Sequence, residues 1–135
     1  MAIYMNNDAV VTVNSVDLSD HIASVSFTEN VAELTTTAMG DSNVTRIGGL
    51  GDGSVSIEWH QDFAATEVYA TINPLLGTVT TVEVTPSSDA VGATNPKKSV
   101  SALVSEVPFV DGAVGDLSTF STTWNFSGAV TTATS

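Results

Sequence analysis

The chain contains no cysteine. That excludes a disulfide framework and any cysteine-based zinc site, so stability must come from packing or from partner subunits. Basic residues are almost as scarce: Arg46, Lys97 and Lys98 stand against fifteen aspartates and glutamates, giving a formal net charge of −12 and a pI near 4.1. A groove that captures nucleic acid needs clustered Lys and Arg. Three basic residues cannot supply one, and any relation to DNA is repulsive. No apolar run approaches the roughly 20 residues of a membrane helix. The start, MAIYMNNDAV, lacks the basic n-region and long apolar h-region of a leader. The expectation is a soluble chain made in the cytoplasm, with no membrane partner.

What is present is enough for one core. The 135 residues, 42% hydrophobic, read most simply as one domain spanning 1–135, with 1–9 and 128–135 as terminal arms. Serine and threonine make up 35 residues, many of them on the polar half of alternating patterns. The outer surface is hydroxyl-rich rather than heavily charged.

The stretch 53–77 organises the chain, because only there does the hydrophobic period change from two to about 3.6. Val55, Ile57 and Trp59 alternate with Ser54, Ser56, Glu58 and His60, the pattern of a half-buried strand. Asp62 stands at an N-cap position, and Ala64, Ala65, Val68, Tyr69 and Ile72 follow at helical spacing until Asn73-Pro74. This predicts one α-helix over about 62–73.

The rest reads as strand and loop. Val25 and Phe27, with Ala23, oppose Ser24, Ser26 and Thr28. Glu29 and Glu33 share the apolar parity, so this strand leaves the core or bulges beyond Thr28. Residues 35–53 hold five glycines with Met39, Val44, Ile47 and Leu50 spaced among them. A solvated linker gains nothing from such residues, so this long loop is expected to pack against another subunit. Thr78 to Thr85 is a strand rich in Val and Thr, closed by Pro86. Val100, Ala102 and Val104 share one strand face, and Phe120, Thr122, Trp124 and Phe126 another. The fold class is mainly β: a sandwich or partly closed barrel of about six or seven strands with one flanking helix.

Candidate chemistry is thin. Glu58 and His60 share a strand face beside Asp62, yet a metal site needs three or four convergent ligands, and His21 lies in a distant turn. Asp41-Ser42-Asn43 and the turn from Asp111 to Asp116 lack EF-hand spacing. The glycines from Gly48 to Gly53 precede a strand and lack the Lys-Ser/Thr ending of a phosphate loop. No catalytic, metal-binding or cofactor-binding residue is assigned, and no enzymatic activity is expected.

The order of features is distinctive. An acidic strand, Thr37-Ala38-Met39-Gly40-Asp41, the Arg46-containing glycine loop, Gln61-Asp62-Phe63-Ala64-Ala65 and Pro74-Leu75-Leu76-Gly77 follow one another. Ala93-Thr94-Asn95-Pro96 and Asp111-Gly112 to Gly115-Asp116 continue the series. In this order the chain resembles the tail-tube (major tail) proteins of long-tailed bacteriophages over roughly residues 14–130.

The resemblance implies a structural virion protein, assembled in the host cytoplasm, whose hexameric rings stack into the hollow tail tube that DNA crosses on ejection. It also implies contacts with other phage tail proteins. On that reading strands 22–31 and 54–61 line the lumen with Ser24, Ser26, Thr28, Ser54, Ser56, Glu58 and His60. Met39, Asp41, Val44, Arg46, Ile47 and Leu50 meet neighbouring subunits or rings. Six copies carry −12 × 6 = −72 formal charges per ring, and DNA slides past without specific binding. Alternatives are another virion role, such as tail terminator or head decoration, or an adhesin-like or carbohydrate-binding β-sandwich. The last needs exposed clustered aromatics, whereas Trp59 and Trp124 are spaced as core residues.

Overall fold

A computed structural model describes residues 8–135 as a mainly β fold with two sheets facing each other and one short helix. In chain order the strands are β1 (Val10–Val13), β2 (Val16–Asp17), β3 (Ile22–Thr35), β4 (Arg46–His60), β5 (Val79–Thr85), β6 (Lys97–Leu103), β7 (Thr119–Asn125) and β8 (Thr131–Ala133). One sheet runs β2-β1-β5-β6-β8 and the other β3-β4-β7, each built from antiparallel neighbours. Neither closes into a barrel. Asn14 and Ser15, both at positive φ (50° and 68°), make the tight turn between β1 and β2.

The core follows from alternation. Val55, Ile57 and Trp59 on β4 lie opposite Trp124, Thr122 and Phe120 on β7, so their inward side chains form continuous rows. Facing them are Val11, Val13, Val82, Val100 and Ala102 of the other sheet. Two buried indoles are affordable because both N–H groups have acceptors: Trp59 Nε1 donates to Thr122 Oγ1 at 2.9 Å, and Trp124 Nε1 to the Glu106 carbonyl at 3.1 Å. Trp59 stacks on Phe120 at 6.1 Å between ring centroids and tilts against Trp124 at 6.2 Å.

Several expectations change in extent. The helix expected over about 62–73 is α1, Val68–Ile72, running into a 3-10 turn, Asn73–Leu75. Thr66 has φ 65°, in the left-handed region, which stops the helix from starting earlier. Asp62 caps a local turn instead, accepting from the Ala64 N–H at 2.9 Å. Within α1, Val68 and Ile72 are fully buried in the same apolar cluster.

The long loop expected over about 35–53 shrinks to 36–45, because residues 46–53 continue β4 and pair with β3. Glycines at 48, 49, 51 and 53 hid this strand from a reading by period. At Gly53 the absence of a side chain is required: a Cβ there would strike the Thr28 carbonyl and the Phe126 ring.

Alternation along β3 is also adjusted. Ile22 pairs with Trp59 and Ser24 with Glu58, so Ala23 sits in a bulge and is exposed rather than sharing the inner face of Val25 and Phe27. Glu29 keeps the inward parity because it meets Lys98 of β6 at 2.5 Å across the sandwich. A second irregularity falls between Val31 and Glu33. Residues 131–133, within the expected C-terminal arm, pair with β6 as the eighth strand. Most of the expected N-terminal arm, 1–7, lies outside the described residues.

Trp59→Ala should lower stability by about 3–5 kcal/mol in chemical denaturation, the cost of a large core truncation. An unchanged midpoint would mean that the faces of β4 are reversed.

Candidate functional site

The seven polar positions singled out on β3 and β4 come together on one surface. Ser24, Ser26 and Thr28 lie directly opposite Glu58, Ser56 and Ser54. His60 extends the row along β4. Sequence reasoning stopped at two strands, but β7 adds a third: Thr119, Ser121, Thr123 and Asn125 lie opposite His60, Glu58, Ser56 and Ser54. Their alternation with buried aromatics was the available signal. Ser56 Oγ and Thr123 Oγ1 are 3.0 Å apart, a direct cross-strand hydroxyl pair. The sheet is thus apolar on its inner face and hydroxyl-lined on its outer face.

Charge on this outer face is sparse. Register and alternation put Glu58 and, further along, Asp52 on it. All three Lys and Arg side chains are engaged elsewhere: Arg46 with Glu33, Lys97 with Glu83 and Lys98 with Glu29, each at 2.5 Å.

Beyond Gly53 the β3–β4 pair continues without a core beneath it. Val31, Leu34, Val44 and Ile47 are about half exposed, Leu50 is 87% exposed and Met39 projects completely. The tip is nonetheless ordered by its own polar groups. Thr36 and Thr45 share a backbone bond of 2.8 Å and a hydroxyl contact of 2.7 Å. Asp41 Oδ2 accepts from the Ala38 N–H at 2.7 Å, so Asp41 shapes the turn. Arg46 braces the hairpin through Glu33. Of the six tip positions expected to meet neighbours, four are exposed apolar side chains and two serve the hairpin itself.

The histidine that meets carboxylates is His21, set aside in the sequence as lying in a distant turn. No hydrogen bond joins His60 to Glu58 or Asp62 among the described residues, and His60 Nδ1 is buried without a partner. Asp62 instead meets His21, whose turn folds back onto the segment after β4. His21 Nε2 lies 2.9 Å from Asp62 Oδ2 and 3.4 Å from Glu67 Oε2, while Nδ1 lies 2.8 Å from Asp20 Oδ1. Burial of the ring works against its charge. The bonds to Asp62 and Asp20, with the negative field of Asp20 and Glu67, outweigh it and raise the His21 pKa above its ordinary 6.5. Asp62 is held below its usual 3.8 by the Ala64 N–H and then by His21. Asp20, His21 and Glu67 could offer a metal one ligand atom each, within 4.8 Å of one another. In this arrangement the His21 ring already meets these carboxylates, and when protonated it closes an ion-pair latch with them.

Nearby, Phe63, Tyr69 and Phe109 form an aromatic cluster with centroids 5.3–5.6 Å apart. Phe63 and Phe109 are more than half exposed. The ring planes cross at 53–72°, so the rings pack edge to face rather than in parallel stacks.

No family model and no curated protein matches the sequence. Solved structures match its fold. A chain of the virion of a native gene transfer agent particle has a TM-score of 0.76 at 11% identity, over 97% of this chain and 99% of that one. A chain of the PVC extracellular contractile injection system, from its extended sheath–tube complex, has a TM-score of 0.68 at 14% identity, covering 98% and 93%. Another, from the extended sheath/tube terminator, has 0.71 at 15% identity, covering 98% of each. The fold is the one found in chains of virions and injection-system particles. That likeness in fold agrees with the resemblance read from the order of sequence features.

The latch predicts a pH dependence. His21 binds its proton more tightly when folded, so its contribution is full below pH 6.5 and is lost as pH rises through the raised folded value. Asp62 contributes above 3.8 and loses this as pH falls through its lowered value. The melting temperature should fall as pH rises above about 6.5, and His21→Asn should flatten that slope. An equal slope in the variant would remove the latch.

Proposed function

We propose that this chain is a non-enzymatic structural subunit of a phage-type tail, forming hexameric rings that stack into a tube for DNA. The observation that carries this is the three-stranded sheet β3-β4-β7, apolar inside and hydroxyl-lined outside, ending in a projecting hairpin with uncovered apolar side chains. A two-stranded hairpin is marginal alone in water, and side chains such as Leu50 and Met39 have no partner within the described chain. Copies of the same chain would cover them.

Ring closure gives the polar face its use. Six sheets supply 6 × 3 = 18 strands. At about 4.8 Å per strand and a tilt near 40°, they enclose a channel roughly 35 Å across between backbones. Ser24, Ser26, Thr28, Ser54, Ser56, Glu58 and His60 then line the lumen, joined by Ser121, Thr123 and Asn125. Of the −72 charges per ring, few face the channel. Hydroxyls with a sparse ring of carboxylates leave phosphates no cationic hold, and screening over about 8–10 Å confines repulsion to the wall.

A tail terminator that stops at a single ring is the second reading, favoured by the likeness to the terminator chain. The two differ in whether stacking continues. Electron microscopy of purified protein should show rings or tubes about as wide as this estimate requires. Leu50→Asp with Ile47→Asp should abolish stacking while leaving the melting temperature of the single chain within about 0.5 kcal/mol equivalent, as exposed substitutions do. Monomers alone under all salt conditions, or tubes unaffected by the double change, would contradict the proposal.

A further inference from the structure

The ladder between β4 and β7 fixes which backbone groups of β7 are free. Phe126 N donates to the Gly53 carbonyl and Gln61 N to the Ser118 carbonyl, which marks the hydrogen-bonded pairs at each end. Antiparallel ladders alternate. Thr119, Ser121, Thr123 and Asn125 therefore turn their N–H and C=O groups away from β4, toward the outer edge. In the middle of that edge, the Thr123 N–H donates to Glu106 Oε1 at 3.0 Å. The carboxylate is not loosely placed, because the Glu106 carbonyl accepts the buried Trp124 indole N–H at 3.1 Å. Backbone and side chain of one residue thus hold both the core and the edge.

The opposite edge of the sheet differs. Along β3, the groups of Val25, Phe27 and Glu29 point outward by the same alternation, and no backbone or side-chain bond to them is formed among the described residues. Both outer strands run antiparallel to β4, so they run parallel to each other. A rotational ring keeps every copy in the same polarity. The strand that reaches β7 is then β3 of a second copy, in parallel, and its carbonyl must take the N–H that Glu106 holds.

We propose that Glu106 is a gate on assembly: its carboxylate stands in for the neighbour's strand and must leave before β3 of a second copy can pair with β7. This rests on the tube reading above and adds its regulation. An ionised acceptor holds an N–H more strongly than a carbonyl does, and it also sets a negative charge in the path of an acidic neighbour. Covered edges of this kind keep single chains from pairing indiscriminately. On release, the carboxylate returns to water.

The test compares wild type, Glu106→Ala and the near-isosteric Glu106→Gln, all as full chains. Hydrogen exchange at the Thr123 amide is measured in the monomer, and light scattering gives the concentration at which assembly begins. Faster Thr123 exchange and a several-fold lower assembly threshold are expected for Glu106→Ala, with Glu106→Gln between. Faster exchange with an unchanged or higher threshold would overturn the gate and leave the tube reading standing. Failure of all three proteins to assemble at any concentration would instead overturn the tube reading and the gate with it. Should the alanine variant lose its fold, the Glu106→Gln threshold decides alone, and one equal to wild type refutes the gate.

Discussion

Burying Val55, Ile57 and Trp59 on one face of β4 forces Ser54, Ser56, Glu58 and His60 onto the other, because side chains of a strand alternate with a period of two. A one-residue slip of β4 would put Glu58 and His60 in the core and Val55, Ile57 and Trp59 in water. Register on both sides of β4 is therefore fixed by the core, and β3 and β7 inherit it. Which residues form the outer face is thus a consequence of packing the two tryptophans, and the sequence makes that face hydroxyl-lined by placing Ser and Thr at most of those positions.

The same strand outlasts its core. At Gly53 the chain passes from a covered sheet to an uncovered hairpin, and the close approach of Thr28 and Phe126 is possible only because no side chain stands there. Beyond that point threonine hydroxyls, Asp41 and the Arg46–Glu33 pair hold the shape, while the apolar side chains face outward. Polar groups thus order the arm and leave its apolar surface unspent. That division fits a segment whose burial awaits another copy.

Much of this was legible in the residues, and the misses have physical causes. Alternation at 53–60 and 119–126 gave the core strands and their faces correctly, since β-branched and aromatic side chains mark a half-buried surface. Glycines broke the period at 46–53, so a strand passed for loop. The helix was overdrawn because Ala64 and Ala65 fit helical spacing while Thr66 takes a left-handed backbone that spacing cannot reveal. The pairing of Asp62 with His21, separated by 41 residues, depends on tertiary folding. Proximity in sequence pointed to His60 instead. The contribution of β7 to the polar face was written in its alternation but required the strand order to be seen.

Electrostatics supports the assignment of faces. Each Lys and Arg is paired with a glutamate away from the hydroxyl-lined face, so a wall made from it would attract no phosphate. The absence of cysteine makes the central claim directly measurable. With Ser26→Cys as the sole thiol, a bulky polymer maleimide should react readily with the single chain and fail to react in assembled tubes, while a small maleimide reacts in both. Equal reaction of the bulky reagent with tubes and single chains would place the hydroxyl-lined face on the outside and contradict the account.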